Sequence, residues 1–222
     1  MAKKYGFTGE TIEFAGETLH RIIAFDSFAD VKTGDLGGFI AKESNLSHKG
    51  DCWVYDGALV YNDARVSGKA KILNGARVFG RARVFGQTEI SGSVKIYGDA
   101  VVFDFAKISG EVLVFGHAQI FAFAKISDKA VIYGHALVHG DASVSGSAKV
   151  FGHTEIFGQA EIFDQASVTG NAKVYGEARV HGQSIVTGNA FVREKAHLFF
   201  RAYVSGNNSI SGEEEVYGSI DY

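Results

Sequence analysis

A six-residue repeat is the feature that most constrains how this chain can fold. From Lys49 to Tyr222 the sequence divides into consecutive hexads with no insertion or deletion, beginning KGDCWV, YDGALV, YNDARV and ending YGSIDY. A fixed short period indicates a repeat architecture, in which each unit buries its apolar side chains only against neighbouring units. A hexad is too short to hold a helix, so we expect each unit to be a short strand followed by a corner.

The residue types at each hexad position predict which side chains face the core. The sixth position is Val, Ile or Leu in every complete unit from Val54 to Val216, and the fourth is mostly Ala, as in Ala136. Positions four and six are two residues apart, so in an extended strand they point to one side, which we expect to be buried. Positions three and five are mainly polar and should face solvent. Position two is usually Gly, otherwise often Asn or Asp, the residues that best tolerate a positive φ.

The number of hexads in one coil follows from position one, where the side-chain type recurs every third unit. Ser91, Ser109 and Ser127 are 18 residues apart, and Tyr97 and Phe115 repeat with the same spacing. Three hexads therefore make one coil, and parallel strands stacked about 4.8 Å apart would form three flat faces. The predicted fold is all-β, a single-stranded parallel β-helix.

Residues 1–42 do not follow the hexad and are predicted to form an N-terminal cap, which leaves 43–222 as the β-helix. Within the cap, the stretch ETIEFAGETLHRIIAF indicates two strands around Ala15 and Gly16, a hairpin with a glycine turn. An open coil exposes apolar core and unpaired strand edges, so a cover of this kind is expected at the end of a stack.

Composition argues against several classes of protein. A single cysteine, Cys52, excludes an intramolecular disulfide framework and a Cys-based zinc finger. The formal net charge of −3 gives no reason to expect nucleic-acid binding, because phosphate-tracking proteins concentrate positive charge. The N-terminus lacks the apolar run of a signal peptide, and no stretch approaches the roughly 18 apolar residues of a membrane span. We therefore predict a cytoplasmic protein that contacts neither membranes nor nucleic acid.

The unit V-x-G-x-A-x resembles the hexapeptide repeat of the left-handed parallel β-helix superfamily, which includes acyltransferases and γ-class carbonic anhydrases. The resemblance implies a left-handed coil and a trimeric assembly. The stretch LHRIIAFDSFADVKTGDLGGFIAKESNLSHKGDCWVYD, residues 19–56, is also similar to the N-terminal region of uncharacterised hexapeptide-repeat proteins of bacterial and prophage genomes. Together the resemblances cover nearly the whole chain, but the second group brings no established reaction.

Apolar side chains at corners and outward positions predict an interaction surface in the middle coils. Leu113, Val131 and Leu137 are not corner residues, so another surface is expected to exclude water from them. A contiguous apolar patch usually marks an interface; the alternative is that stacked aromatic rings merely rigidify the corners. We name the predicted surface the aromatic-edged face, and it comprises Phe79, Tyr97, Val101, Phe103, Phe105, Leu113, Phe115, Phe121, Phe123, Val131, Tyr133 and Leu137.

The preferred hypothesis is a non-enzymatic binding or assembly module that uses the aromatic-edged face. The partner that packs on this face is either a further copy of the chain, with a trimer favoured, or another protein. Given the prophage-like resemblance, that other protein can be a host protein. No catalytic residue, metal or other cofactor belongs to this hypothesis.

Histidines in the middle coils provide an alternative, a zinc enzyme. His117 and His135 occupy position three of successive coils and should lie about 4.8 Å apart. His135 and His139, followed by Gly140, look like the paired metal histidines of γ-class carbonic anhydrases, although their spacing is one residue shorter. A catalytic zinc site needs three protein ligands and an open position. The candidate zinc ligands under this alternative are His117, His135 and His139.

Acyl transfer is a further enzymatic alternative, with His117 or His135 as the general base. Relatives in the superfamily commonly build a cleft from extruded loops, but no loop interrupts the hexads after Lys49. Without a cleft little would position a substrate or exclude water. This alternative therefore requires clefts formed between subunits.

Overall fold

The computed structural model describes residues 3–220, and these form a parallel β-solenoid of about ten turns. The chain passes through three sheets in each turn, which we call sheets 1, 2 and 3. Sheet 1 contains β1 (Tyr5–Phe14), β2 (Glu17–Ala24), β3 (Leu36–Ile40), β5 (Leu59–Val60), β8 (Arg77–Val78), β11 (Lys95–Ile96), β14 (Leu113–Val114), β17 (Val131–Ile132), β20 (Lys149–Val150), β23 (Ser167–Val168), β26 (Ile185–Val186), β29 (Tyr203–Val204) and β32 (Ser219–Ile220).

The other two sheets consist entirely of two-residue strands. Sheet 2 contains β6 (Arg65–Val66), β9 (Arg83–Val84), β12 (Val101–Val102), β15 (Gln119–Ile120), β18 (Leu137–Val138), β21 (Glu155–Ile156), β24 (Lys173–Val174), β27 (Phe191–Val192) and β30 (Ser209–Ile210). Sheet 3 contains β4 (Trp53–Val54), β7 (Lys71–Ile72), β10 (Glu89–Ile90), β13 (Lys107–Ile108), β16 (Lys125–Ile126), β19 (Ser143–Val144), β22 (Glu161–Ile162), β25 (Arg179–Val180), β28 (His197–Leu198) and β31 (Glu215–Val216). A short 3-10 helix, Glu43–Asn45, precedes the first of these strands.

Strand register confirms three hexads per coil. Leu113 pairs in parallel with Val131, and Val131 pairs with Lys149, so neighbours in a sheet are separated by three hexads. Positions four and six are buried as predicted: Ala118 and Ile120 are both completely inaccessible to solvent. The predicted fold class, an all-β parallel β-helix, is therefore confirmed, and the coil is consistent with the left-handed superfamily that the repeat resembles.

Corners are tight because the backbone adopts a positive φ at position two of the hexads. At Gly116 φ is +72°, and a Cβ atom there would lie 2.9 Å from the backbone nitrogen of Gly134 in the next coil. Several non-glycine residues take this conformation as well, among them Asn74, Asp104 and Asp128, as the sequence predicts. Ala122 also does so, with φ of 56°.

The N-terminal hairpin is confirmed and is continuous with sheet 1. Strands β1 and β2 pair antiparallel around a turn at Ala15 and Gly16, where φ is +53° and +81°. Strand β2 pairs antiparallel with β3, and β3 pairs parallel with β5, so the segment 36–40 already forms part of the solenoid wall. Lys4 anchors the hairpin: its buried ammonium group donates hydrogen bonds to the carbonyls of Gly50 and Cys52.

The last described strand departs from the hexad division. That division places the final strand at residues 221–222, which lie outside the described residues. Instead β32 begins at Ser219, which pairs with Tyr203, two residues earlier than the repeat predicts. The even hexad spacing therefore holds from β4 to β31 and shortens before β32.

Candidate interaction surface

Stacked aromatic rings line the corner between sheets 1 and 2. Successive ring centroids are 4.7–5.0 Å apart, and the ring planes differ by no more than 6°. We call this series the first corner ladder; its members are Tyr61, Phe79, Tyr97, Phe115, Tyr133 and Phe151. Stacking of this kind places an apolar edge along six coils and is favourable in itself.

A second ladder follows the corner between sheets 2 and 3. It comprises Phe85, Phe103, Phe121, His139, Phe157 and Tyr175, with centroids 4.6–5.2 Å apart. Beside it, Phe105 and Phe123 stack on each other at 4.9 Å and keep 43% and 53% of their surface exposed. Exposed, paired phenylalanines of this kind are the most solvated part of the aromatic-edged face.

The aliphatic members of the aromatic-edged face lie on two different sheets. Leu113 and Val131 are paired neighbours on the outside of sheet 1. Val101 and Leu137 are on the outside of sheet 2, where Gln119 separates them. All four aliphatic side chains are half-buried. The face therefore wraps around the first corner ladder, with apolar side chains on both sides of it.

His117 and His135 form the ladder that the repeat implies, and His153 extends it by one coil. His117 and His135 stack with centroids 4.8 Å apart, and His135 and His153 stack at 4.6 Å. Their ring planes differ by only 13° and 3°, so the nitrogen lone pairs, which lie in the ring planes, run parallel instead of converging. All three side chains are exposed, and His117 has Asp99 3.9 Å away.

His139 lies in a different environment from the histidine ladder. Its ring stacks between Phe121 and Phe157, and its Nε2 is 3.2 Å from Oε1 of Glu155. The other oxygen of Glu155 accepts a hydrogen bond of 2.7 Å from Lys173. That bond is the main cause that lowers the pKa of the Glu155 carboxyl group, and the bond with His139 adds to it. His139 is thus held by ring stacking and by a carboxylate.

Within residues 3–220, no three His, Cys, Asp or Glu side chains are grouped so that they could hold a metal ion. The structure brings His117 and His135 together as a stack and places His139 in the second corner ladder. A zinc site at these histidines stays a prediction. The preferred hypothesis, in which the protein has no cofactor, also stays a prediction. The same residues contain no helix with the length and hydropathy of a membrane span.

Sequence reasoning missed a close contact between His181 and His197. Their Nε2 atoms are 2.6 Å apart. His181 occupies a corner position, and His197 occupies an outward position. They are 16 residues apart in the sequence, two fewer than the 18 residues of one coil. A search for diagonal neighbours 16 residues apart would have found this pair, whereas a comparison of equivalent hexad positions does not.

Short parallel strands that recur every six residues define the architecture. The chain is a hexapeptide-repeat β-solenoid. No protein-family model matches the solenoid. It is similar to the uncharacterized acetyltransferase YdcK of Escherichia coli strain K12, with 42% identity over 55 residues. The match covers 24% of this chain and 17% of the relative, so the similarity extends over less than a fifth of that protein's length.

Proposed function

We propose that this chain is a non-enzymatic assembly module, in which the aromatic-edged face of one copy packs against other copies of the same chain. The observation that carries the proposal is the apolar surface on both sides of the first corner ladder. Leu113 and Val131 flank it on sheet 1, and Leu137 flanks it on sheet 2. Apolar side chains gathered in adjacent coils favour a surface that is covered in the assembled protein.

Lysine side chains mark the two ends of the apolar surface on sheet 1. Leu113 is in register with Lys95, and Val131 is in register with Lys149, so the aliphatic pair is bounded by a lysine at each end. Both lysines are exposed. Depletion of charge at the centre with a polar rim is the usual composition of a protein interface.

Further copies of the chain are the occupants that we favour, because the superfamily that the repeat resembles forms trimers. The rigid ladder favours association with either kind of occupant. Rings that are already stacked lose little conformational freedom when a second surface packs on them, which lowers the entropic cost of association. The proposal keeps the cytoplasmic location that the sequence predicts. A different protein as the occupant is one outcome of the test below.

The test is the molar mass of the untagged protein, measured by light scattering on a sizing column over a dilution series. Leu113→Glu and Val131→Glu together place two carboxylates in the face, beside Lys95 and Lys149, where the isolated fold should tolerate them. The matched control is Ile185→Glu, which changes an exposed outward residue of the same sheet. We expect a stable oligomer for the wild type and the control, and a monomer for the double variant.

An unchanged oligomer in the double variant would show that the copies meet elsewhere and would overturn this placement. A wild type that remains monomeric over the whole dilution series would overturn self-association itself and leave a different protein as the occupant. Circular dichroism and thermal melting of each variant establish that a loss of mass is not a loss of fold.

Acetyl transfer is a second candidate function, favoured by the similarity to the Escherichia coli protein. Under this alternative, exposed His117 or His135 acts as the general base in a cleft between subunits. It requires stoichiometric binding of acetyl-CoA, measurable by titration calorimetry, and weaker binding or turnover in His117→Ala and His135→Ala. Stoichiometric zinc that is lost in His135→Ala and His139→Ala would favour the carbonic-anhydrase-like alternative instead. The assembly proposal expects neither ligand to bind.

A further inference from the structure

Two histidines near the C-terminal end of the described chain face each other with their ring nitrogens. The Nε2 atoms of His181 and His197 are 2.6 Å apart, whereas their ring centroids are 4.8 Å apart. The nitrogens are therefore on the sides of the rings that point at each other. The contact is edge to edge, unlike the face-to-face stack of His135 and His153.

The carboxylate of Asp164 lies beside the first of these rings. Its Oδ2 atom is 3.4 Å from Nδ1 of His181 and accepts a hydrogen bond of 3.1 Å from the backbone N–H of Gly182. A carboxylate beside Nδ1 favours the hydrogen on that nitrogen, which leaves Nε2 of His181 with a free lone pair. His197 then donates its Nε2 hydrogen to that lone pair. Histidine ligands of metal ions commonly have their second nitrogen oriented by a carboxylate in this way.

Two charged side chains lie on the strands that pair with the strand of His197. Arg179 is in register with His197 but donates a 2.9 Å hydrogen bond to Glu161, which partly neutralises it. Glu215 is in register with His197 on the other side.

We propose that His181 and His197 form a binding site for a borderline divalent transition-metal ion, with Cu²⁺ held most tightly, then Ni²⁺ or Zn²⁺. The ion replaces the hydrogen between the two Nε2 atoms, and His197 carries its hydrogen on Nδ1 instead. Nitrogen ligands of a tetrahedral zinc ion lie about 3.4 Å from each other, so a small rotation of the side chains opens enough space. Imidazole suits these ions, and divalent copper is the tightest binder of the series.

Solvent access is sufficient for an ion to enter and for water to complete its coordination. The side chain of His181 is 24% exposed, and His197 is half-buried. The two protein ligands leave the remaining coordination positions to water. The site therefore resembles an open metal site more than a closed structural one, and its affinity should be moderate.

The histidine ladder of the middle coils is a matched control within the same chain. His135 and His153 are also adjacent histidines in successive coils, but their planes are 3° apart and their lone pairs run parallel. A metal ion cannot lie in both ring planes at once in that arrangement. The two histidine pairs therefore differ in the direction of their ring nitrogens, and only His181 and His197 are expected to bind the ion.

The experiment titrates the full chain with Cu²⁺ and follows binding by calorimetry and by electron paramagnetic resonance, which reports the number of coordinated nitrogens. We expect one principal site with two imidazole nitrogens. His181→Ala and His197→Ala should each weaken Cu²⁺ binding at least tenfold and remove one nitrogen from the spectrum, while His135→Ala and His153→Ala change the affinity less than twofold. Asp164→Asn should weaken binding by a smaller factor, because it disturbs only the orientation of His181.

Unchanged binding in the His181→Ala, His197→Ala double variant would assign the ion to another group, such as the N-terminal amine, and would overturn the proposal. Equal losses in the His135→Ala and His153→Ala controls would show that the chain binds copper through exposed histidines without regard to geometry, and would also overturn it. A wild type that binds no Cu²⁺ would mean that the pair is only a hydrogen bond. Molar mass recorded with and without the ion excludes metal bridges between copies.

Discussion

Oδ2 of Asp128 accepts a hydrogen bond of 2.9 Å from the backbone N–H of Gly146, the residue at the same corner position one coil later. Asp128 has a φ of +60°, so it adopts the left-handed conformation and also bonds to the next coil. Asp164 and Glu194 make the equivalent bonds to Gly182 and Gly212, at 3.1 and 2.8 Å. Side chains at these corners therefore connect the coils in addition to tolerating the turn.

Removing this bond should lower the thermal stability of the solenoid. Asp128→Ala keeps the strained corner but loses the acceptor, and we expect a loss of about 1–2 kcal/mol in the free energy of unfolding. Asp128→Asn keeps an acceptor oxygen and a residue that tolerates positive φ, so it should cost much less. Thermal melting followed by circular dichroism measures both. Equal losses for the two variants would contradict the role of the hydrogen bond.

Two glycines allow the energetic cost of crowding between coils to be measured separately from the cost of a positive φ. Gly134 has a φ of +73°, and a Cβ atom there would lie 2.9 Å from the backbone nitrogen of Gly152. Gly212 has a similar φ of +69°, but a Cβ atom would meet nothing within 4 Å. We expect Gly212→Ala to cost about 1 kcal/mol for the left-handed conformation and Gly134→Ala to cost more. Melting temperatures that fall equally would mean that the corner relaxes around the added methyl group.

Hexad positions predict the core because strand geometry leaves little freedom. Residues two apart in a strand face one side, so the Ala and Val/Ile/Leu positions could be assigned to the interior from the sequence, and Ala118 and Ile120 are indeed fully buried. The hairpin at Ala15 and Gly16 was also predictable, because glycine in a turn readily adopts a positive φ. The early start of β32 was not predictable. The sixth position of the last hexad is Tyr222 in place of a branched residue, so the pattern weakens where the register shifts.

Side-chain contacts were less accessible to sequence reasoning than the fold. Ladders of equivalent positions, such as His117 with His135, follow from the repeat because those residues stack directly. The contact of His181 with His197 depends on a diagonal approach between different hexad positions, which rotamers decide. The same is true of His139, whose nearest polar partner is Glu155 on a neighbouring coil. Repetition predicts vertical neighbours and can suggest diagonal candidates 16 residues apart, but rotamers decide which of those candidates meet.

Replacing one hydroxyl group in the core should raise the stability of the fold. Thr154 occupies the inward fourth position and is fully buried, and its Oγ1 finds no hydrogen-bond partner among the described residues. Val94 and Val112 already fill equivalent buried positions. Thr154→Val has nearly the same shape and removes the unpaired hydroxyl, so we expect a gain of about 1–2 kcal/mol in the free energy of unfolding. Differential scanning calorimetry measures the shift.

Ser184 is the control for this substitution. It is also buried at a fourth position, but its hydroxyl donates a hydrogen bond of 2.6 Å to the carbonyl of His181. Ser184→Ala removes a bond that is made, so it should not raise the melting temperature. A fall in stability for Thr154→Val would show that its hydroxyl has a partner in solution, such as a buried water molecule.

The interaction of Glu155 with Lys173 and His139 should make stability depend on pH. The hydrogen bond from Lys173 lowers the pKa of Glu155 in the folded chain, with a further contribution from His139 and an opposing one from burial. A carboxyl group with a lowered pKa stabilises the fold above the pKa of the unfolded chain, about 4.3 for Glu, and loses this effect as the pH falls through the folded value. Glu155→Gln should therefore be less stable than the wild type at pH 7.

The difference should vanish near pH 3, because the wild-type carboxyl group is then neutral as well. Its size at pH 7 should stay below about 1 kcal/mol, since Glu155 and Lys173 are partly exposed and solvent screens them. Melting temperatures of both proteins between pH 3 and pH 8 measure the effect. The matched control is Glu111→Gln, whose side chain is 66% exposed and lies 3.9 Å from Lys129, and which should show little dependence on pH. A constant difference between the Glu155→Gln variant and the wild type over this pH range would mean that the substitution acts through packing and not through charge.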